Sequence, residues 1–162
     1  MTTRLCFVCL GNICRSPTAE GVFRYLLGQR GDATPFEVES AGTGAYHEGE
    51  SPDRRSTATA AQRGIPLVGA AARFDAEDFV RFDWVLAMDG ANKSDLLARA
   101  PTEQDAAKVV LLREWDAQSD GPHDLDVPDP YYGGASGFDD VLDICLRSCQ
   151  ALLDDLEARA RA

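Results

Sequence analysis

The sequence predicts an α/β fold: a single three-layer domain in which a doubly wound, four-stranded parallel sheet carries helices on both faces. Three observations point there. Short, near-continuous apolar runs such as RLCFVCL (4–10) read as strands buried on both sides. Segments with helical spacing alternate with those runs, which implies right-handed crossovers onto a parallel sheet. The first run ends in a tight connection, CLGNICRS (9–16), at the carboxyl end of a strand, where folds of this class bind ligands.

Each element has its own signal. After the first strand, Ser16 is expected to cap a helix with Pro17 at its first position, where a missing N–H does no harm. Ala19, Val22, Phe23, Leu26 and Leu27 then recur at helical spacing until Gly28 to Gly31 stops the run. FEVESAG (36–42) alternates as a strand, and Asp53 opens a second helix that Gly64 closes, with Pro66 beyond. DWVLAMD (83–89) and KVVLLREW (108–115) are the remaining strands, with a helix from about Gly90 to Arg99 between them. The last helix shows the clearest stripe, Phe138, Val141, Leu142, Cys145, Cys149, Leu152, Leu153 and Leu156, with Ser136 as its expected cap. Between Trp115 and Ser136 runs a long loop rich in Asp and Pro, and loops of that length in compact domains tend to carry function. With no repeat and no linker, residues 1–162 are expected to form one domain.

Composition narrows the function. Hydrophobic residues make up 44% and charged residues 27%, the balance of a soluble globular protein. A formal net charge of −11 disfavours nucleic acid and anionic membranes as partners. No apolar run approaches the ~18 residues of a membrane-spanning helix. The N-terminal run leads into Gly-Asn-Ile-Cys rather than a small-residue cleavage site, so it reads as a strand and not as a signal peptide. The five cysteines, Cys6, Cys9, Cys14, Cys145 and Cys149, fit neither a disulfide framework nor a structural zinc site, and a reducing cytoplasm is the expected location.

The connection at 9–16 has the parts of an oxyanion site. A strand, a short loop and a helix N-terminus present unpaired N–H groups and the positive end of a helix dipole. Gly11 permits backbone that a side chain would block, and Asn12 tolerates a left-handed conformation, so successive amides can turn inward as a nest. Arg15 adds a planar fork for phosphate oxygens. The same field favours the thiolate of Cys9, a nucleophile in place. Taken singly, a cysteine ending a strand, a Gly-Asn turn or an arginine at a helix start is ordinary; their joint occurrence is what points to chemistry.

These residues carry a resemblance. VCLGNICRSPTAEGVF (8–23) looks like the signature of the low-molecular-weight protein tyrosine phosphatases, a Cys-x5-Arg-Ser/Thr phosphate loop. DPYYGG (129–134) is similar to that family's general-acid loop and MDGANKSDL (88–96) to another of its recurring stretches, so the likeness runs from the first strand to the last helix. The resemblance implies hydrolysis of phosphotyrosine on proteins, or of small aryl phosphates, with inorganic phosphate as product and no metal or organic cofactor. It implies that Cys9 attacks phosphorus, that Arg15 and the loop amides of Leu10, Gly11, Asn12, Ile13 and Cys14 hold the oxygens, and that Asp129 is the general acid and base. It further implies that Ser16 steadies the thiolate, that Asn12 and Ser40 hold the loop, and that Leu10, Ile13, Tyr46, Tyr131 and Tyr132 wall the pocket. A monomer is expected.

Competing readings have their own marks. Arsenate reductases resembling this family need further cysteines after the third strand, and WVLAMDGANKSDLL (84–97) has none. Protein-arginine phosphatases of the family tend to carry Thr where this loop has Ile13. A non-catalytic phosphate-binding regulator needs neither thiol nor acid. The chain also departs from the family pattern: Tyr46 stands where many relatives have Trp, and Ala70 in GAAARF (69–74) where many have a His that joins the network behind the loop, leaving Ser40 and Asn12 without an identified partner. His47 and His123 read as surface-loop residues, and Arg54 and Arg55 as a solvated helix start that could attract acidic peptide. Cys14 is either filler beneath the loop or the partner of a protective disulfide with an oxidised Cys9.

Overall fold

A computed structural model describes residues 1–31, 35–134 and 136–162. Its elements follow the alternation read from the sequence: β1 (Thr3–Cys9), α1 (Arg15–Arg30), β2 (Phe36–Gly42), α2 (Arg54–Ala61), β3 (Trp84–Ala87), α3 (Gly90–Arg99), α4 (Glu103–Ala106), β4 (Val109–Leu111) and α5 (Ser136–Arg161). The sheet has four strands in the order β2-β1-β3-β4, all parallel.

Because β1 is central and covered on both sides, its side chains alternate between two cores. Leu5, Phe7 and Cys9 face a layer built by α1 and α5, where Phe23 packs against Phe7 and Phe36 at ring distances of 5.9 and 5.6 Å. Cys6 and Val8 face the opposite layer with Phe74, Phe79, Phe82 and Leu96 of α3. An unbroken apolar strand is what this double burial demands. The chain leaves β1 toward β2 on one side and later crosses to β3 on the other. The loop after β1 therefore lies where the strand order reverses.

Several local expectations are corrected. Ser16 is not a helix cap: α1 begins at Arg15, Cys14 stands at the cap position without a side-chain bond, and the Ser16 hydroxyl turns inward to Cys9. Pro17 is consequently the third helical residue, still within the first turn, whose N–H groups lack intrahelical partners. Ser136 is the first residue of α5 rather than its cap, and the position before it lies outside the described residues. The fourth strand stops at Leu111, because Leu112–Trp115 tightens into a 3-10 turn. The short α4 and the 3-10 turn at Ala76–Arg81 had no clear periodic signal. Asp53 does cap α2, accepting from the amides of Arg55 and Ser56.

The long loop after β4 is tied down at its start. The buried Asp116 carboxylate accepts from Arg113 Nε (3.0 Å), from Arg147 Nε and Nη2 on α5 (3.0 and 3.1 Å) and from the Gln118 amide (3.0 Å). Burial alone would raise its pKa; the bonds from Arg147, the Gln118 amide and Arg113 outweigh that and hold it below the usual carboxylate value. A depressed folded-state pKa means stability that is present above the unfolded value near ~3.9 and is lost as pH falls through the folded one. Asp116→Asn is expected to cost about 3–5 kcal/mol at pH 7, with the gap to wild type narrowing below pH ~4 in denaturant titrations.

Candidate active site

The site is built by the turn that leaves β1. The first loop carbonyls are taken by the exit of β2: the amides of Thr43 and Gly44 donate to Cys9 O (2.8 Å) and Leu10 O (2.9 Å). Gly42 is required there, since a Cβ would stand 2.7 Å from Leu10 O. Asn12 sits at φ 56°, a left-handed conformation that Asn tolerates better than most side chains. Gly11, in contrast, does not use a left-handed backbone. A Cβ there would meet His47 Cδ2 at 3.0 Å, so the glycine serves a close approach rather than a dihedral.

The turn aims its donors at sulfur. Asn12 N donates to Cys9 Sγ (3.3 Å), and Ser16 Oγ lies 3.0 Å from the same atom. The Asn12 side chain locks the arrangement: Nδ2 donates to Ser16 Oγ (2.8 Å) and Ser40 Oγ (3.0 Å), while Oδ1 accepts from the Ala72 amide (3.0 Å). Ser40 in turn donates to Glu20 Oε1 at 2.6 Å. Glu20 and the Ala72 amide are thus the partners that the missing family histidine left unidentified. Ser16 Oγ accepts from Asn12, so its own proton can go to Cys9 Sγ or to Ala41 O (3.3 Å). Against a thiolate, which only accepts, that hydroxyl donates to sulfur.

Arg15 is 3% exposed, and its Nη1 is fully committed, to Asp89 Oδ2 (2.6 Å) and Val127 O (2.9 Å). Burial opposes its charge, but the Cys9 sulfur, Asp89 and Asp129 outweigh it and raise its pKa further. The Nε and Nη2 edge remains for a ligand, and Nη2 lies 3.7 Å from Asp129 Oδ2. Asp129 is fixed by the Tyr131 amide, which donates to its Oδ1 at 3.0 Å.

These groups meet in one cavity of about 390 Å³, lined by Cys9, Leu10, Gly11, Ile13, Cys14, Arg15, Tyr46, His47, Asp129, Tyr131 and Tyr132. Tyr131 packs edge-on against Tyr132 at 4.9 Å and carries the Arg55 guanidinium 5.3 Å above its ring. All the expected residues converge except Asn12, Ser16 and Ser40, which stand behind the loop as its support. Cys14 also packs with Ile13, Ala71 and Phe138, and burial pushes its thiol up to about 12, as suits filler. Three further residues at the candidate site escaped the sequence. His47, read as a surface residue, is half-buried, covers Gly11 and lies 6.0 Å from the Tyr131 ring. Glu20, one helical turn after Ser16, gave no separate sign. Asp89 lay inside the recurring stretch 88–96 but had no assigned task.

The comparisons agree with this geometry. Residues 4–162 match the family model for low molecular weight phosphotyrosine protein phosphatase. A low molecular weight protein-tyrosine-phosphatase of Streptomyces coelicolor is 48% identical over 164 residues, covering 99% of both chains. The human low molecular weight phosphotyrosine protein phosphatase is 40% identical, covering 94% of this chain and 95% of its own. A crystal structure of a protein tyrosine phosphatase from Entamoeba histolytica superposes with a TM-score of 0.90 at 37% identity, covering 98% of this chain and 99% of that one.

Asn12→Ala removes the network and keeps the left-handed strain. It is expected to lower kcat/KM by about tenfold or more and stability by about 2–4 kcal/mol. Asn12→Gly, which relieves the strain, should be about 1–2 kcal/mol less harmful to stability in denaturant titrations. A four-stranded parallel sheet, a Cys-x5-Arg loop at its switch point and matches spanning nearly the whole chain lead to one conclusion: the chain belongs to the low molecular weight phosphotyrosine protein phosphatase family and is an enzyme of that kind.

Proposed function

We propose that the protein hydrolyses phosphotyrosine in proteins through a cysteinyl-phosphate on Cys9. The observation that carries this reading is the convergence of the Asn12 amide and the Ser16 hydroxyl on Cys9 Sγ, on the floor of a cavity whose rim holds the Asp129 carboxylate. In the first step the Cys9 thiolate attacks phosphorus, the phosphorus–oxygen bond to the ring breaks, and Asp129 gives its proton to the departing phenolate. In the second, the Asp129 carboxylate takes a proton from water, that water attacks phosphorus, and the sulfur leaves as a thiolate with inorganic phosphate released.

Charge spreads over the equatorial oxygens in both steps. Arg15, through Nε and Nη2, and the loop amides from Leu10 to Cys14 are the groups available to meet it. Ser16 and the Asn12 amide steady the leaving sulfur. The ring of the substrate is received by Ile13 and Leu10 on one side and by Tyr46, Tyr131 and Tyr132 on the other. An aliphatic wall at Ile13 favours an aryl phosphate over a guanidino one. Five buried, free cysteines support a reducing cytoplasm as its location.

Cys9→Ser is expected to abolish turnover of an aryl phosphate while retaining affinity for inorganic phosphate by calorimetry, because the cradle of amides survives. Retention of substantial turnover would contradict the assignment. Asp129→Ala should slow esters with poor leaving groups by about 10²–10⁴ and activated nitrophenyl esters far less. An equal, small effect on both would remove Asp129 from the role of acid.

A further inference from the structure

Tyr46 lines a second hollow as well as the catalytic cavity. This one, about 490 Å³, is walled by Thr43, Gly44, Ala45, Tyr46, Arg73 and Arg99. Among the described residues two guanidinium groups and no carboxylate line it, in a chain whose net charge is −11. Arg99, in the last turn of α3, is held in place: Nη1 donates to Phe74 O (2.9 Å) and Nη2 to Thr43 O. Its remaining N–H groups have no partner among the described residues. Arg73 is 45% exposed at its side chain, and its one ion pair there, Nε to Asp75 Oδ1, is long at 3.5 Å.

Thr43 supplies an independent mark. It is 3% exposed, yet its hydroxyl has no hydrogen-bond partner among the described residues, which leaves a buried polar atom beside the hollow able to hold a water or a ligand-bound water. Its amide also donates to Cys9 O, so the hollow shares backbone with the strand that carries the nucleophile. Arg73 is held against the end of β2 by the bonds Gly42 N to Ala72 O and Phe74 N to Gly42 O, both 2.8 Å. The hollow is thus a pre-arranged cationic patch beside the catalytic cavity, with the Tyr46 ring between them.

Resting on the reading of the catalytic cavity given above, we infer that this hollow is a substrate subsite: it receives the carboxylate of an acidic residue flanking the phosphotyrosine, on the side of the peptide that passes over Tyr46. Arg73 and Arg99 supply the charge. The chain's net charge of −11 disfavours such peptides at long range, so the subsite selects among sequences already delivered to the cavity.

The test uses phosphotyrosine peptides with Glu, Ala or Lys at each neighbouring position in turn, and a small aryl phosphate as the reference. Wild type is expected to show a kcat/KM about three- to tenfold higher for Glu than for Lys at one or more positions on one side, a preference that shrinks as salt is added. Arg73→Glu should abolish or invert that preference while leaving the aryl phosphate rate within about twofold, and Arg99→Gln should weaken it. The inference is overturned if wild type ignores charge at every position, or if Arg73→Glu, folded by circular dichroism, keeps the wild-type preference. Failure of wild type to turn over even the aryl phosphate would instead overturn the reading of the catalytic cavity.

Discussion

One residue held in a left-handed conformation organises the active site. Asn12 turns the chain so that its own amide faces the Cys9 sulfur, and its side chain then satisfies Ser16, Ser40 and the Ala72 amide at once. The conformation costs free energy on its own and persists because four neighbouring groups over-determine it. None of those groups touches the cavity directly, apart from the sulfur. The geometry offered to phosphate is therefore set from behind, by residues of β2, α1 and the segment after α2.

The wall opposite is tied into the same frame. Arg15 reaches from the start of α1 to Asp89 at the cap of α3 and to the Val127 carbonyl, two residues before Asp129. Asp126 accepts from the Gly90 amide, and Arg113, itself bonded to Asp116 and Asp124, holds the Asp126 carbonyl. Arg15 and the segment leading to Asp129 are thereby positioned by one connected set of bonds that also anchors α5 through Arg147.

The architecture was legible because burial leaves a strong periodic trace. RLCFVCL, lying between two cores, had to be apolar throughout, and the stripe of α5 spelled out its buried face. The candidate reacting residues stood out because Cys9, Arg15 and Asp129 are chemical types with few other reasons to co-occur in those settings, and the structure brings all three to one cavity. What failed to show was whatever depends on distant segments meeting. Nothing local to Glu20 or His47 announces that the first will accept from Ser40 or that the second will cover Gly11. Ser16 carried two readings: its position after a turn suggested a cap, while the family resemblance placed its hydroxyl beside the sulfur, where the structure has it. Gly11 was read as freeing the backbone, whereas the structure shows a close approach by the His47 ring instead.

The ion pairing of Arg15 has a bearing on how a substrate is seated. One guanidinium is shared between the Asp89 carboxylate, which takes Nη1 at 2.6 Å, and the Asp129 carboxylate, 3.7 Å from Nη2. The first contact is short and buried, the second longer and open to solvent, so the two ends of the fork are held with unequal firmness. A phosphate arriving at Nη2 would meet the loosely held end and leave the anchored one undisturbed.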